Sequence, residues 1–396
     1  MSTSTRTLAL ICGAFLAAGT MLSSMGPSLP FLAEHTGQSL ATMSWIFTAL
    51  SGGVVLVQPG FGPMSDRLGL RTVLVAGMAL MGCAVLVVSL STNVIGLLTA
   101  ALLVGAGFGG VIAAGTVLVS RLFADHRATA LNGVNVFFGV GSVLGPTVVG
   151  QVGARLGLPQ AALWLGGGIM LALVPLVLWL VTSPPAERPA TEISGTATSP
   201  ASVWLIGLLL LIYTGTEIGF AGWVTVYMAR SAGLALTEAA LMASAFWLAL
   251  TGGRVLGAVL GMRITARALL LTALCGLLLG AGLLSLSVGG SYGFALAGVL
   301  LLGLSCGPVF PTSLALITAA ARGGNNAAGL ALGMGNSGGL VLPALMGLLL
   351  ARYGPSAMVA MLVVCALAML SLGVFALRGR DTLPLATSST DIAPGA

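Results

Sequence analysis

Short polar segments interrupt this chain at regular intervals, and between them the sequence is almost continuously apolar. Twelve apolar runs, near 7–33, 40–64, 72–90, 94–120, 128–153, 161–181, 201–228, 236–261, 268–287, 293–320, 327–351 and 355–377, are separated by charges, prolines and small polar residues. Runs of about 20 apolar residues are long enough, as helices, to cross a hydrocarbon core of roughly 30 Å. The pattern predicts an all-α membrane protein with twelve transmembrane helices. The first run follows Arg6. It is too long for a signal peptide and lacks a convincing cleavage site, so it reads as the first spanning helix.

The polar intervals also divide the chain. The stretch after the sixth run is rich in Pro, Ser, Thr and Ala, and the last sixteen residues are polar. The expected organisation is a six-helix bundle over 1–182, a cytoplasmic linker over 183–200, a second bundle over 201–380 and a disordered tail over 381–396. The two halves repeat one another. Pro146, Gly150, Ala154, Arg155 and Gly157 recur as Pro343, Gly347, Ala351, Arg352 and Gly354, all at an offset of 197. Gly105 and Gly109 recur as Gly303 and Gly307 at an offset of 198. Two pseudo-symmetric six-helix bundles in parallel repeat are the pattern of a transporter whose substrate binds between the halves near mid-depth.

Composition supports the class. The chain is 57% hydrophobic and 6% charged, against about 25% charged in soluble domains. Its 58 glycines suit helices that approach closely in lipid. The net charge of +6 forms no cluster that would suggest nucleic acid, and all of its fixed positive charge is arginine. With both termini placed in the cytoplasm, eleven arginines fall inside (Arg6, Arg67, Arg71, Arg121, Arg127, Arg188, Arg263, Arg267, Arg322, Arg378, Arg380) and Arg155, Arg230 and Arg352 outside. That asymmetry predicts a multi-pass inner-membrane protein with cytoplasmic termini. The five cysteines lie in apolar runs and read as buried thiols. No phosphate-binding glycine loop, metal-ligand cluster or nucleophile constellation is present, so no enzyme, metal or cofactor is expected. The expected partners are a small-molecule substrate and the bilayer, and the chain is expected to be a monomer.

After the second run comes Gly62-Pro-Met-Ser-Asp66-Arg67-Leu-Gly69-Leu-Arg71. This resembles the loop signature of the major facilitator superfamily, with Gly62, Asp66, Arg67, Gly69 and Arg71 at the recurring positions. The resemblance implies two bundles working by alternating access, with Asp66 capping a helix or pairing with an arginine to lock the cytoplasmic side. In the second half Arg263 and Arg267 align with Arg67 and Arg71, but Met262 replaces the acid. Three further stretches, Leu131 to Pro146, Gly215 to Tyr227 and Gly307 to Thr312, resemble segments of fucose-permease-like sugar:cation symporters. Asn135 stands where those relatives often carry histidine, and the first and fourth helices carry no acid. Proton-driven drug exporters are the other branch to weigh: Gly141, Gly145, Pro146 and Gly150 partly match their fifth helix, whereas Ala101 replaces their arginine in the fourth.

Two charges lie inside predicted helices. Glu217 is alone in the seventh run, and an intramembrane carboxylate is a functional candidate by default. At 100° per residue, Tyr213, Thr216, Glu217, Phe220, Trp223, Val224 and Tyr227 share an arc of about 120°. That stripe suits a polyol, with aromatic faces stacking on the sugar and Glu217 accepting hydroxyl hydrogen bonds. It equally suits aromatic packing between helices, with Trp223 and Tyr227 in an interfacial belt. Arg254 in the eighth run is the second charge, and pseudo-symmetry at an offset of 196 matches it to Gln58. Helix rise places it about 10 Å nearer the cytoplasm than Glu217, so a direct pair needs extended side chains. Asn135 and Asn336 are further candidates for lining the cavity. The expected function is a secondary transporter, a proton- or sodium-coupled importer of a sugar or similar polar solute. A proton-coupled exporter of amphiphilic compounds is the alternative.

Overall fold

The computed structural model describes residues 3–181, 201–320, 333–335 and 337–378. Twelve helices in it are long and apolar enough to span a membrane. The main helices of these spans are α1 (Thr3–Thr36), α2 (Trp45–Leu68), α3 (Leu70–Leu90), α4 (Val94–Leu122), α5 (Arg127–Thr147), α6 (Ala161–Leu180), α7 (Ala201–Ser231), α8 (Leu236–Gly261), α9 (Ala266–Ser287), α10 (Tyr292–Ala320), α11 (Leu342–Tyr353, the last part of a span from Gly333) and α12 (Pro355–Leu377). Ile95, Trp179, Leu279 and Val364 are exposed on the outside of the bundle, a disposition that hydrocarbon tolerates and water does not. Cys12, Cys306 and Cys365 are buried as expected, but Cys83 and Cys275 are exposed, and all five thiols are free.

The repeat seen in the sequence is a repeat of packing. In the first half α1 packs on α5 and α6, α4 on α2 and α3, and α3 on α6; in the second, α7 packs on α11 and α12, α10 on α8 and α9, and α9 on α12. The bundles meet along α1 with α7, α5 with α8, and α2 with α11, a pseudo-twofold set of contacts.

Two expected boundaries change. The helix read as ending near residue 64 continues to Leu68, so Asp66 and Arg67 are in its last turn rather than in a loop. It stops at Gly69, whose φ of 81° is open to glycine and strained for other residues. The eleventh span, read as continuous over 327–351, has a 3₁₀ turn at Gly338–Leu340 before Pro343 restarts the helix. The tighter turn brings Gly338 against Leu211 and Gly215 of α7, so closely that an added Cβ would strike the Leu211 carbonyl. The pseudo-symmetric Pro146 is followed by a π-helical turn, Val148–Gly153, as expected where a missing N–H breaks the α ladder.

We call the end of the bundle where α1 begins the near end, and the end where it finishes the far end. Beyond mid-depth on the far side the halves touch intimately. An added Cβ on Gly26 of α1 would strike the Gly222 backbone of α7, and one on Gly222 would strike the Phe47 ring of α2. Phe47 meets Trp223 edge-on at 6.0 Å between centroids. Thr48 donates to the Leu340 carbonyl (2.7 Å), and Ser244 of α8 donates to the Val143 carbonyl (2.8 Å) and lies 2.9 Å from the Thr147 hydroxyl. Toward the near end the corresponding faces separate. Gln58, Gly62, Asn135 and Val136 are exposed, and a Cβ built on Gly62 or Gly133 has nothing within 4 Å.

Candidate transport site

The two intramembrane charges meet at mid-depth. An Arg254 guanidinium nitrogen lies 4.0 Å from Glu217 Oε1, with side chains 37% and 14% exposed. The expected 10 Å offset is too large. Counted from the short far-end turn between the helices, Glu217 is 14 residues before Ser231 and Arg254 is 18 residues after Leu236. Four residues of helix amount to about 6 Å, which an arginine side chain spans.

Helix α7 is less of a cavity face than its periodicity implies. Tyr213, Phe220, Trp223 and Tyr227 are fully buried, and each polar tip meets a neighbouring helix of the same bundle. The Tyr213 hydroxyl donates to the Cys306 carbonyl of α10 (2.9 Å), the Trp223 indole to the Pro343 carbonyl of α11 (2.9 Å), and the Tyr227 hydroxyl to the Leu284 carbonyl of α9 (3.0 Å). Thr216 is buried against the Cys365 thiol of α12. Trp223 and Tyr227 therefore lie in the packing between helices, neither in a sugar-stacking wall nor in an interfacial belt. Tyr213 keeps a link to the charge, since its phenol lies beside the Glu217 carboxylate.

Among the described residues, Phe220 is the one predicted α7 aromatic that joins a run of rings leaving the helix. Phe220 meets Phe246 at 5.3 Å, Phe246 meets Trp247 at 5.7 Å, Trp247 meets Phe138 at 6.4 Å, and Phe138 meets Phe108 at 6.0 Å. This chain of rings crosses from the second bundle into the first. Most contacts are edge-to-face, the arrangement the ring quadrupole favours. On α8 the spacing of Trp247, Thr251 and Arg254 (i, i+4, i+7) puts all three on one helix face. An added Cβ on Gly139 of α5 would come 2.7 Å from the Thr251 hydroxyl, so that face points at α5. Trp247 and Phe138 escaped the sequence reading because it followed aromatic spacing around Glu217 alone. The spacing upstream of Arg254 carried the missing signal.

The remaining predicted residues fall around this centre. Gly139 meets Thr251, and α5 runs antiparallel to α8. Asn135, one turn nearer the near end, is therefore level with Arg254; it is exposed, and its amide donates to the Leu131 carbonyl (2.9 Å). Gln58 is exposed on α2 toward the near end. Gly62, Asp66 and Arg67 are exposed there too, and neither Asp66 nor Arg67 forms an ion pair among the described residues. The next helix is capped by Gly69 with no side-chain cap, so Asp66 does not cap it. Arg71 is half-buried in the first turn of α3. Asn336 lies outside the described residues. No group of three or more metal-ligating side chains occurs among the described residues.

Two pseudo-symmetric bundles, open between them at one end and carrying at mid-depth the single ion pair found among the described residues, define a membrane transporter of small solutes. The Major Facilitator Superfamily model matches residues 10–340, and the chain belongs to that family; its relatives are transporters, not enzymes. It is 30% identical over 232 residues to the 3-(3-hydroxy-phenyl)propionate transporter of Escherichia coli, covering 54% of this chain and 56% of the relative. It is 34% identical over 167 residues to the 4-hydroxybenzoate transporter PcaK of Pseudomonas aeruginosa, covering 41% and 35%. The match thus spans about half or less of these relatives' lengths. Among solved structures, the nucleoside transporter NupG superposes with a TM-score of 0.74 over 95% of this chain and 98% of that one, at 14% identity, a likeness of fold alone. These relatives do not support the fucose-permease-like branch.

Proposed function

We propose that the chain is a proton-coupled transporter of small organic anions with a flat, aromatic body, working by alternating access around Glu217 and Arg254. The observation that carries this reading is the 4.0 Å ion pair at mid-depth, whose arginine is 37% exposed and shares a face of α8 with Trp247, the ring that meets Phe138. A carboxylate entering from the open end meets a guanidinium suited to bidentate, charge-assisted hydrogen bonds. A ring attached to it gains from contact with the aromatic chain. Once Arg254 is engaged by the substrate, Glu217 loses its counter-charge in a setting that stabilises isolated charge poorly. A proton then balances it, so anion and proton move together without net charge. The two aromatic-acid transporters among the relatives support the substrate class. The arginine asymmetry supports an opening toward the cytoplasm and cytoplasmic termini.

Sugar import is the second reading. Asn135, level with Arg254, and Glu217 offer hydroxyl partners for it. It loses the aromatic wall it required, because Trp223 and Tyr227 are packed away. Export by proton exchange would use the same two charges with substrate and proton occupying the site in alternate half-cycles. Counterflow in proteoliposomes with labelled 4-hydroxybenzoate and a panel of hexoses separates these readings. The anion reading expects exchange of the aromatic acid that is independent of sodium and lost in Arg254→Gln. Exchange of a hexose and not of the acid would overturn it.

A further inference from the structure

A second polar feature lies far from the charge pair. On α4 it is Arg121, 13 residues beyond Phe108 and so about 20 Å along the helix from the aromatic chain. The chain leaves α4 at Leu122, turns through a 3₁₀ segment at Ala124–His126 and starts α5 at Arg127. Val117, Ser120, Arg121, Ala124 and Arg127 line a cleft of about 370 Å³ at this near-end corner. Neither arginine forms an ion pair among the described residues. The nearest acid in sequence, Asp125, is exposed and outside the lining. The first turn of α5 holds no acid, and His126 at its N-cap makes no side-chain cap hydrogen bond, so the helix N-terminus adds to the positive potential. The Ser120 hydroxyl donates to the Thr116 carbonyl (2.7 Å), so its lone pairs face a cleft already rich in donors.

The depth of the cleft identifies the ligand class. The apolar spans flanking it end at Leu122 and begin at Thr129, so the two guanidinium groups are at the level where acyl chains meet headgroups, with Val117 below them. We infer that this cleft holds the phosphodiester headgroup of an acidic membrane phospholipid, its acyl chains descending past Val117. A pocket of basic side chains between helix ends, at headgroup depth, is the arrangement such lipids occupy. The same phosphate chemistry could be met by free phosphate, but a soluble anion has no use for the apolar floor.

The test is native mass spectrometry of the detergent-purified full-length chain titrated with phosphatidylglycerol, with phosphatidylcholine, and with inorganic phosphate. Phosphatidylglycerol should bind about thirtyfold more tightly than phosphatidylcholine, the factor two arginines supply at a membrane surface. Arg121→Gln/Arg127→Gln should lose that preference while eluting as the same monodisperse species. Arg121→Lys/Arg127→Lys, which keeps the charge, should retain most of it and covers the case in which the glutamine pair fails to fold. Equal binding of the two lipids by the native chain would overturn the inference, as would a preference that survives the glutamine pair. Displacement of phosphatidylglycerol by equimolar inorganic phosphate would overturn the lipid assignment.

Discussion

The two ends of the interface between the bundles are built from different materials. The far end is closed by backbone, hydroxyls and one aromatic pair: Gly26 against Gly222, Phe47 edge-to-face with Trp223, Thr48 on the Leu340 carbonyl, and Ser244 on Val143 and Thr147. No ion pair crosses it among the described residues. The near end carries Gln58, Asp66, Arg67, Asn135 and the arginines at the helix ends, most of them exposed. Neutral contacts of this kind separate without stripping water from charges or returning it. A seal that must open and close repeatedly is thus served by glycines and hydroxyls, while the charged residues stay where water reaches them. Glu217 and Arg254 lie at the boundary between the two regimes, where a substrate can reach one partner without unlocking the far end.

The largest expected effect comes from the boundary. Arg254→Gln removes the anion's partner and leaves Glu217 unpaired, and should lower aromatic-acid counterflow by about thirtyfold or more. Gly222→Leu attacks the far seal. Its side chain meets the Phe47 ring of α2, an overpacking that costs about 1–3 kcal/mol. Spin labels or fluorophores placed across α1 and α7 at the far end should report longer distances in that variant. Trp223→Phe deletes one buried hydrogen bond, to Pro343, of the kind worth about 0.6 kcal/mol on average in membrane proteins. It should lower the unfolding midpoint with substrate affinity nearly unchanged; a large rise in KM would instead restore Trp223 to the substrate wall. Smallest is Thr48→Val, which removes the bond to Leu340 and should widen the far-end distance distribution without stopping transport.

The twelve-span architecture was largely legible in the sequence, because span length reports on a bilayer and the 197-residue repeat returns as a repeat of packing. The site was legible in part. Glu217 and Arg254 stood out because a charge in hydrocarbon has few neutral explanations, and their contact follows once α7 and α8 are counted from their shared turn. The aromatic stripe misled, because helical periodicity defines a face without saying what lies opposite it. Trp223 and Tyr227 share an arc with Glu217, yet α11 and α9 of their own bundle take up their polar tips. The break in α11 was hidden for a related reason: Pro343 is visible in sequence, but the closeness of α7 at Gly338 is a tertiary fact.

The exchange of partners at Arg254 makes one further demand. Proteoliposomes loaded with a pH-sensitive dye and given 4-hydroxybenzoate outside should acidify within as the labelled acid enters, one proton for each anion and no net current. In Glu217→Gln the acid should still exchange in counterflow, but its entry should no longer move protons or respond to a pH gradient. Proton movement undiminished in Glu217→Gln, or uptake by the native chain with no proton at all, would contradict the account.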